Sequence, residues 1–134
     1  MNKEIEEKII NGFFVDRKVE RAKYALNSKN KRQDFIWRFS NLGIFNEDCM
    51  KKIEKPIPSY KTILEILNEK DVPRECYVIS CDESVDGKTM ALEYALREVV
   101  GLGPAVISCI HGKLAYLECE QGRGAPMRYL LVKN

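Results

Sequence analysis

The sequence predicts an α+β fold: a helical amino-terminal half followed by a β-α-β-β-β order, with a mixed or mostly antiparallel sheet covered by helices. Three observations lead there. Apolar residues recur at spacings of three and four through roughly the first 70 residues. A proline-broken stretch, Lys55 to Pro58, interrupts that pattern. From Glu75 onward the apolar segments shorten and become rich in Val, Ile, Tyr and Cys, with turn residues between them.

In order, Lys3 to Ile10 reads as a short helix with Ile5, Ile9 and Ile10 on one side, stopping near Asn11-Gly12. Asp16 is placed to cap a second helix carrying Val19, Ala22 and Leu26, which stops near Asn27 and Ser28. A third, from about Lys31 to Leu42, buries Phe35, Ile36 and Phe39 and partly covers Trp37. An irregular stretch follows Gly43, with one turn around Asn46 to Lys51. Ser59 then caps an amphipathic helix with Tyr60, Ile63, Leu64 and Leu67 on one face, ended by Pro73.

Glu75 to Cys81 reads as a buried strand and Thr89 to Val100 as a helix closed by Gly101, since glycine accepts the left-handed cap conformation. Ala105 to Ile110 and Lys113 to Glu120 are strands around a His111-Gly112 turn. A loop from Gln121 to Pro126 leads to the last strand, Met127 to Val132. The expected organisation is one domain over residues 1–134, mainly helical in 1–70 and sheet-containing in 74–134.

Composition narrows the function classes. A chain of 134 residues with 45% hydrophobic and 31% charged content suits an ordinary globular protein. No apolar run approaches the roughly 20 residues of a membrane helix. The opening MNKEIEEKII places charges where a signal peptide has its apolar core, so a cytoplasmic location is expected. Cys49, Cys76, Cys81, Cys109 and Cys119 are then expected to be reduced. They form no Cys-x-x-Cys pair and the chain has one histidine, so structural zinc is not expected.

Four patterns carry chemistry. Residues 82–93 put Asp82, Ser84, Asp86, Gly87 and Glu93 at positions 1, 3, 5, 6 and 12 of a calcium loop. The expected strand before the loop, Thr89 at an aliphatic position and the lack of a paired loop argue against an EF-hand. Asp86-Gly87 is equally a turn entering a helix, and Glu93 is spaced to pair with Arg97. No metal is favoured, and calcium is the ion to test. Gly87-Lys88-Thr89 ends like a phosphate loop, but Asp82 stands where its first glycine belongs, so that reading fails.

Strand alternation places Cys109 and His111 on one face, the minimum for a thiol nucleophile with its base, with Glu83 or Glu118 to orient the ring. Arg123 in the last loop and Arg128 in the strand after it offer two guanidinium groups to a carboxylate or phosphate. Residues 17–38 hold eight basic residues against Glu20 and Asp34. Arg17, Arg21 and Arg32 make this a face for an acidic protein or a nucleic acid.

No carboxylate pair, metal-ligand cluster or nucleotide fingerprint is complete. The sequence therefore points to a non-catalytic cytosolic protein-binding module, of which an inhibitor or the immunity protein of a bacterial toxin is one version. The alternative is a small-ligand protein or enzyme with its site near Cys81, Asp82, Cys109 and His111. A second alternative is nucleic-acid binding through the basic helices.

Overall fold

A computed structural model describes residues 1–54, 59–120 and 127–133. Among these residues it has five α-helices and one six-stranded sheet. The helices are α1 (Lys3–Phe13), α2 (Val19–Leu26), α3 (Arg32–Trp37), α4 (Tyr60–Asn68) and α5 (Leu92–Val99). The strands are β1 (Met50–Lys52), β2 (Glu75–Ser80), β3 (Lys88–Ala91), β4 (Ala105–Ile110), β5 (Leu114–Glu118) and β6 (Arg128–Val132). The sheet order is β1-β6-β5-β4-β2-β3, with every neighbouring pair antiparallel. This is the expected α+β class, with the sheet antiparallel throughout.

Both faces of the sheet are buried, and strand alternation divides the side chains between them. Tyr77, Ile79, Val106, Ala115, Leu117 and Leu131 pack beneath α1–α3. On the other side Val78, Ile107, Tyr116 and Leu130 pack with Ile63 and Leu67 of α4 and with Leu92, Leu96 and Val99 of α5. Burial on both faces explains why the strands read as nearly continuous apolar runs rather than alternating ones. Four phenylalanines add an aromatic cluster on the first side: the Phe14 and Phe45 rings lie 4.8 Å apart, and Phe39 meets Phe45 edge-on at 5.5 Å.

Local signals act as expected in several places. Ser59 accepts the Thr62 N–H and caps α4. Gly101 follows α5 at φ +92°, a left-handed position that glycine takes without strain. Elsewhere the elements differ. Helix α1 runs through Gly12 to Phe13, and the Asn2 side chain caps it. Asp16 opens a 3₁₀ turn, residues Asp16–Lys18, and makes no side-chain cap. The third helix stops at Trp37 and continues only as short 3₁₀ turns.

Two strands depart further. Residues 50–52, expected at the end of a turn around Asn46 to Lys51 in an irregular stretch, pair with β6 as an edge strand. Residues 88–91, of which Thr89 to Ala91 were expected to open a helix, pair with β2 instead. The Gly87 N–H donates to the Val78 carbonyl at 2.8 Å, closing the chain back onto β2 before α5 begins. Residues 82–87 therefore form the loop of a β2–β3 hairpin rather than a strand-to-helix junction. No helix among the described residues is long and apolar enough to cross a membrane.

Candidate functional site

Arg32 was expected on a basic surface, but it sits at 4% exposure between α1 and the 82–87 loop. Its Nε donates to Asp86 Oδ2 at 2.7 Å, and Nη2 donates to Asp86 Oδ1 and Glu6 Oε2. Nη1 donates to Glu6 Oε1 and to the Leu26 carbonyl. All five N–H groups of the guanidinium are thus used. The Tyr77 hydroxyl donates to Glu6 Oε2 at 2.6 Å, and the Ser80 N–H donates to Asp86 Oδ1 at 3.0 Å. Burial alone lowers the Arg32 pKa, but hydrogen bonds to Asp86 and Glu6 and the charges behind them outweigh it and hold it above its ordinary value. Burial and the bond to Glu6 likewise push Tyr77 up.

Two carboxylates around one guanidinium leave this buried set with one net negative charge. A cavity of about 360 Å³ opens above it, walled by Ile10, Leu26 and Gln33 and rimmed by Lys3, Glu7 and Glu83. The network joins α1, α3 and the β2–β3 hairpin at their common edge. Arg32 is thereby removed from any partner face.

The same network disposes of the calcium geometry. Asp86 turns inward to Arg32, while Asp82 Oδ1 accepts the Ser84 N–H and hydroxyl in a local turn. Glu93 lies exposed in the first turn of α5, beyond the intervening β3. The four proposed donors do not converge, and no group of three or more His, Cys, Asp or Glu among the described residues is placed to hold a metal. Arg97, expected to pair with Glu93, lies over the Tyr60 ring at 5.5 Å.

Cys109 and His111 are also separated. The register of β4 against β5 shifts between Ser108 and Ile110, and this bulge resets the alternation. Cys109 packs with Cys76 and Ile107 beneath α5. His111 instead bonds Ser108 Oγ through Nδ1 at 2.7 Å and meets the Tyr77 ring edge-on, on the α1 side. Burial raises the Cys109 thiol to about 12, the reverse of what a nucleophile needs. Cys81 is half-buried on the α1–α3 side and raised by burial and by Asp82. The strand-end group of Cys81, Asp82, Cys109 and His111 is therefore spread over both faces of the sheet.

Glu118, a candidate to orient His111, is fully buried and accepts from the Tyr116 hydroxyl, Arg128 Nε and the Gly101 N–H. Arg128, expected to reach a ligand, is 7% exposed and held across the β5–β6 ladder by Glu118 at 2.9 Å. Arg123 lies outside the described residues. Glu83 stays exposed at the cavity rim beside Asp86.

The outer side of α2 and α3 is different. Ala22, Ala25 and Leu26 face the core, so Arg21 and Tyr24, three residues apart, share the opposite face. On α3, Phe35 and Ile36 are buried and Lys31, Asp34 and Arg38 look outward. These groups line a cleft of about 700 Å³ between the two helices. Tyr24 is 60% exposed and Trp37 43% exposed, and Lys31 Nζ stands 5.4 Å from the Tyr24 ring centre. Arg17 is exposed in the turn leading into α2.

The exposed aromatics were not among the expected site residues, yet Tyr24 carried a signal. It falls off the Val19, Ala22 and Leu26 stripe, where an aromatic has no core to fill. Glu6 and Tyr77 of the buried network carried none. No protein family, curated protein or solved structure compared with this chain matches it.

Proposed function

We propose that the chain is a non-catalytic protein-binding module whose contact face is the outer side of α2 and α3. The observation that carries this reading is the conjunction of exposed Tyr24 with Arg21, Lys31 and Arg38 around one cleft. Aromatic and arginine side chains supply most of the energy at protein interfaces, because they bury large area and keep a polar handle. Four basic groups, counting Arg17, make an acidic surface the complementary partner. The sequestration of Arg32, Arg128 and Cys109 in the interior favours binding over chemistry. An inhibitor or toxin-immunity protein is the concrete version, since such a protein works by occupying a partner's surface.

Nucleic acid is the second reading, because bases stack on exposed aromatics beside cations. Asp34 weighs against it: a carboxylate lining the cleft repels phosphate, whereas it accepts a hydrogen bond from a protein donor. Affinity capture from cell extract, with mass spectrometry, tests both readings on the wild type and on Arg21→Glu/Arg38→Glu. The proposal expects a stoichiometric protein partner that survives nuclease and is lost with the double variant. Capture that disappears with nuclease, or equal capture by both forms, overturns it.

A further inference from the structure

The sheet carries a second cationic cluster, on the α1 side, that shares no residue with the α2–α3 cleft. Strands β5 and β6 extend one residue past Leu114 and Val132, where the Lys133 N–H donates to the Lys113 carbonyl at 2.9 Å. Ala115, Leu117 and Leu131 face the α1–α3 layer, so by alternation Lys113 and Lys133 stand side by side on that face. Like charges opposed across a ladder are destabilising. Lys8 of α1 joins them in a cleft of about 460 Å³, together with Asn11 and His111.

Close backbone packing sets this geometry. Gly112 has φ +79°, and a Cβ there would stand 2.8 Å from the Lys8 carbonyl oxygen. A Cβ on Gly12 would in turn run into Gly112. The two glycines thus press α1 onto the β4–β5 hairpin and hold Lys8 over Lys113 and Lys133. No cleft-lining residue is acidic, and among the described residues no carboxylate lies within ion-pair distance of the three lysines. Ser108 engages His111 through Nδ1, leaving Nε2 without a protein partner among the described residues.

We propose that this cleft binds a phosphate group, as the free ion or as a monoester. Three ammonium groups and the Asn11 amide supply donors on several sides of one anion, His111 Nε2 adds another when Ser108 donates to Nδ1 or the ring is protonated, and a bound dianion relieves the Lys113–Lys133 repulsion. The chain has one histidine, so a single ring resonance reports occupancy. The test is a titration followed by that resonance, at constant ionic strength, with inorganic phosphate and separately with glycerol phosphate. Saturation is expected with a Kd on the order of millimolar or tighter. Tighter binding of the ester assigns a phosphomonoester, and tighter binding of phosphate the free ion.

Lys8→Gln and Lys113→Gln are each expected to weaken binding by about five-fold or more. Lys61→Gln/Lys70→Gln, which removes two exposed charges near α4, should leave it unchanged. The absence of saturation up to about 20 mM of either probe overturns the site. So does equal weakening by the α4 pair, which would show only general charge attraction.

Discussion

Replacing Arg32 by methionine keeps much of the side chain's volume but removes five hydrogen bonds and a positive charge at a position only 4% exposed. Glu6 and Asp86, only 5% and 7% exposed, then face each other without a cation. Removing one partner of a buried ion pair costs about 3–5 kcal/mol, because the remaining charge is left uncompensated. That is a large share of the roughly 5–15 kcal/mol by which a domain is stable. Urea unfolding followed by circular dichroism should show this loss, with Tm lowered by roughly 10–20 °C.

The effect should change little with added salt, since buried pairs are weakly screened. A triple variant, Glu6→Gln/Arg32→Met/Asp86→Asn, should recover much of the loss, because it removes the orphaned charges together with their partner. A cost under about 1 kcal/mol for Arg32→Met would place the pair among surface salt bridges and show that the buried charges are not held by it.

Gly12→Ala should destabilise the protein by about 1–3 kcal/mol in thermal melts, against the stabilisation of about 1 kcal/mol that alanine normally brings to a helix. A more stable variant would show that α1 and the hairpin do not touch there. With an aromatic disulfide reagent near pH 8, half-buried Cys81 should react first and the four buried cysteines only on unfolding. Rapid native labelling of Cys109 would contradict its place beneath α5.

His111 is held below its ordinary value of 6.5 by burial and by Lys8, so the unfolded chain binds its proton more readily. Stability should therefore be fully present above pH 6.5 and decline as the pH falls below it. His111→Gln should flatten that part of a pH series of urea midpoints; an unchanged slope would place the dependence elsewhere.

Where signals are local, the sequence was informative. The Ser59 cap, the Ile63–Leu67 stripe and the left-handed glycine after α5 each act within a few residues, and each is found where expected. Strands β1 and β3 escaped because their evidence is distant or competes with stronger local patterns. Three residues at 50–52 become a strand only by meeting Tyr129 to Leu131. Residues 88–91 precede so regular a helical stripe that the pattern extends back over them, although β2 claims their backbone.

The charged sites were less legible for the same physical reason. Arg32 reads like the lysines around it, and nothing local reveals that Glu6 and Asp86, 26 and 54 residues away, converge on it. The Cys109–His111 expectation failed through one bulge, which alternation cannot foresee. The basic α2–α3 face was readable as a charge cluster, but which of its cations remain at the surface depended on the tertiary fold.

The contact face itself is tested most directly by site-specific photo-cross-linking in living cells, with a benzophenone amino acid in place of Tyr24 or of Tyr94. Both tyrosines are exposed, Tyr24 on α2 and Tyr94 on α5, whose helices cover opposite faces of the sheet. One discrete protein adduct is expected through position 24, lost on Arg21→Glu/Arg38→Glu, and none through position 94. An adduct through position 94 alone, or none through position 24, would contradict this contact face.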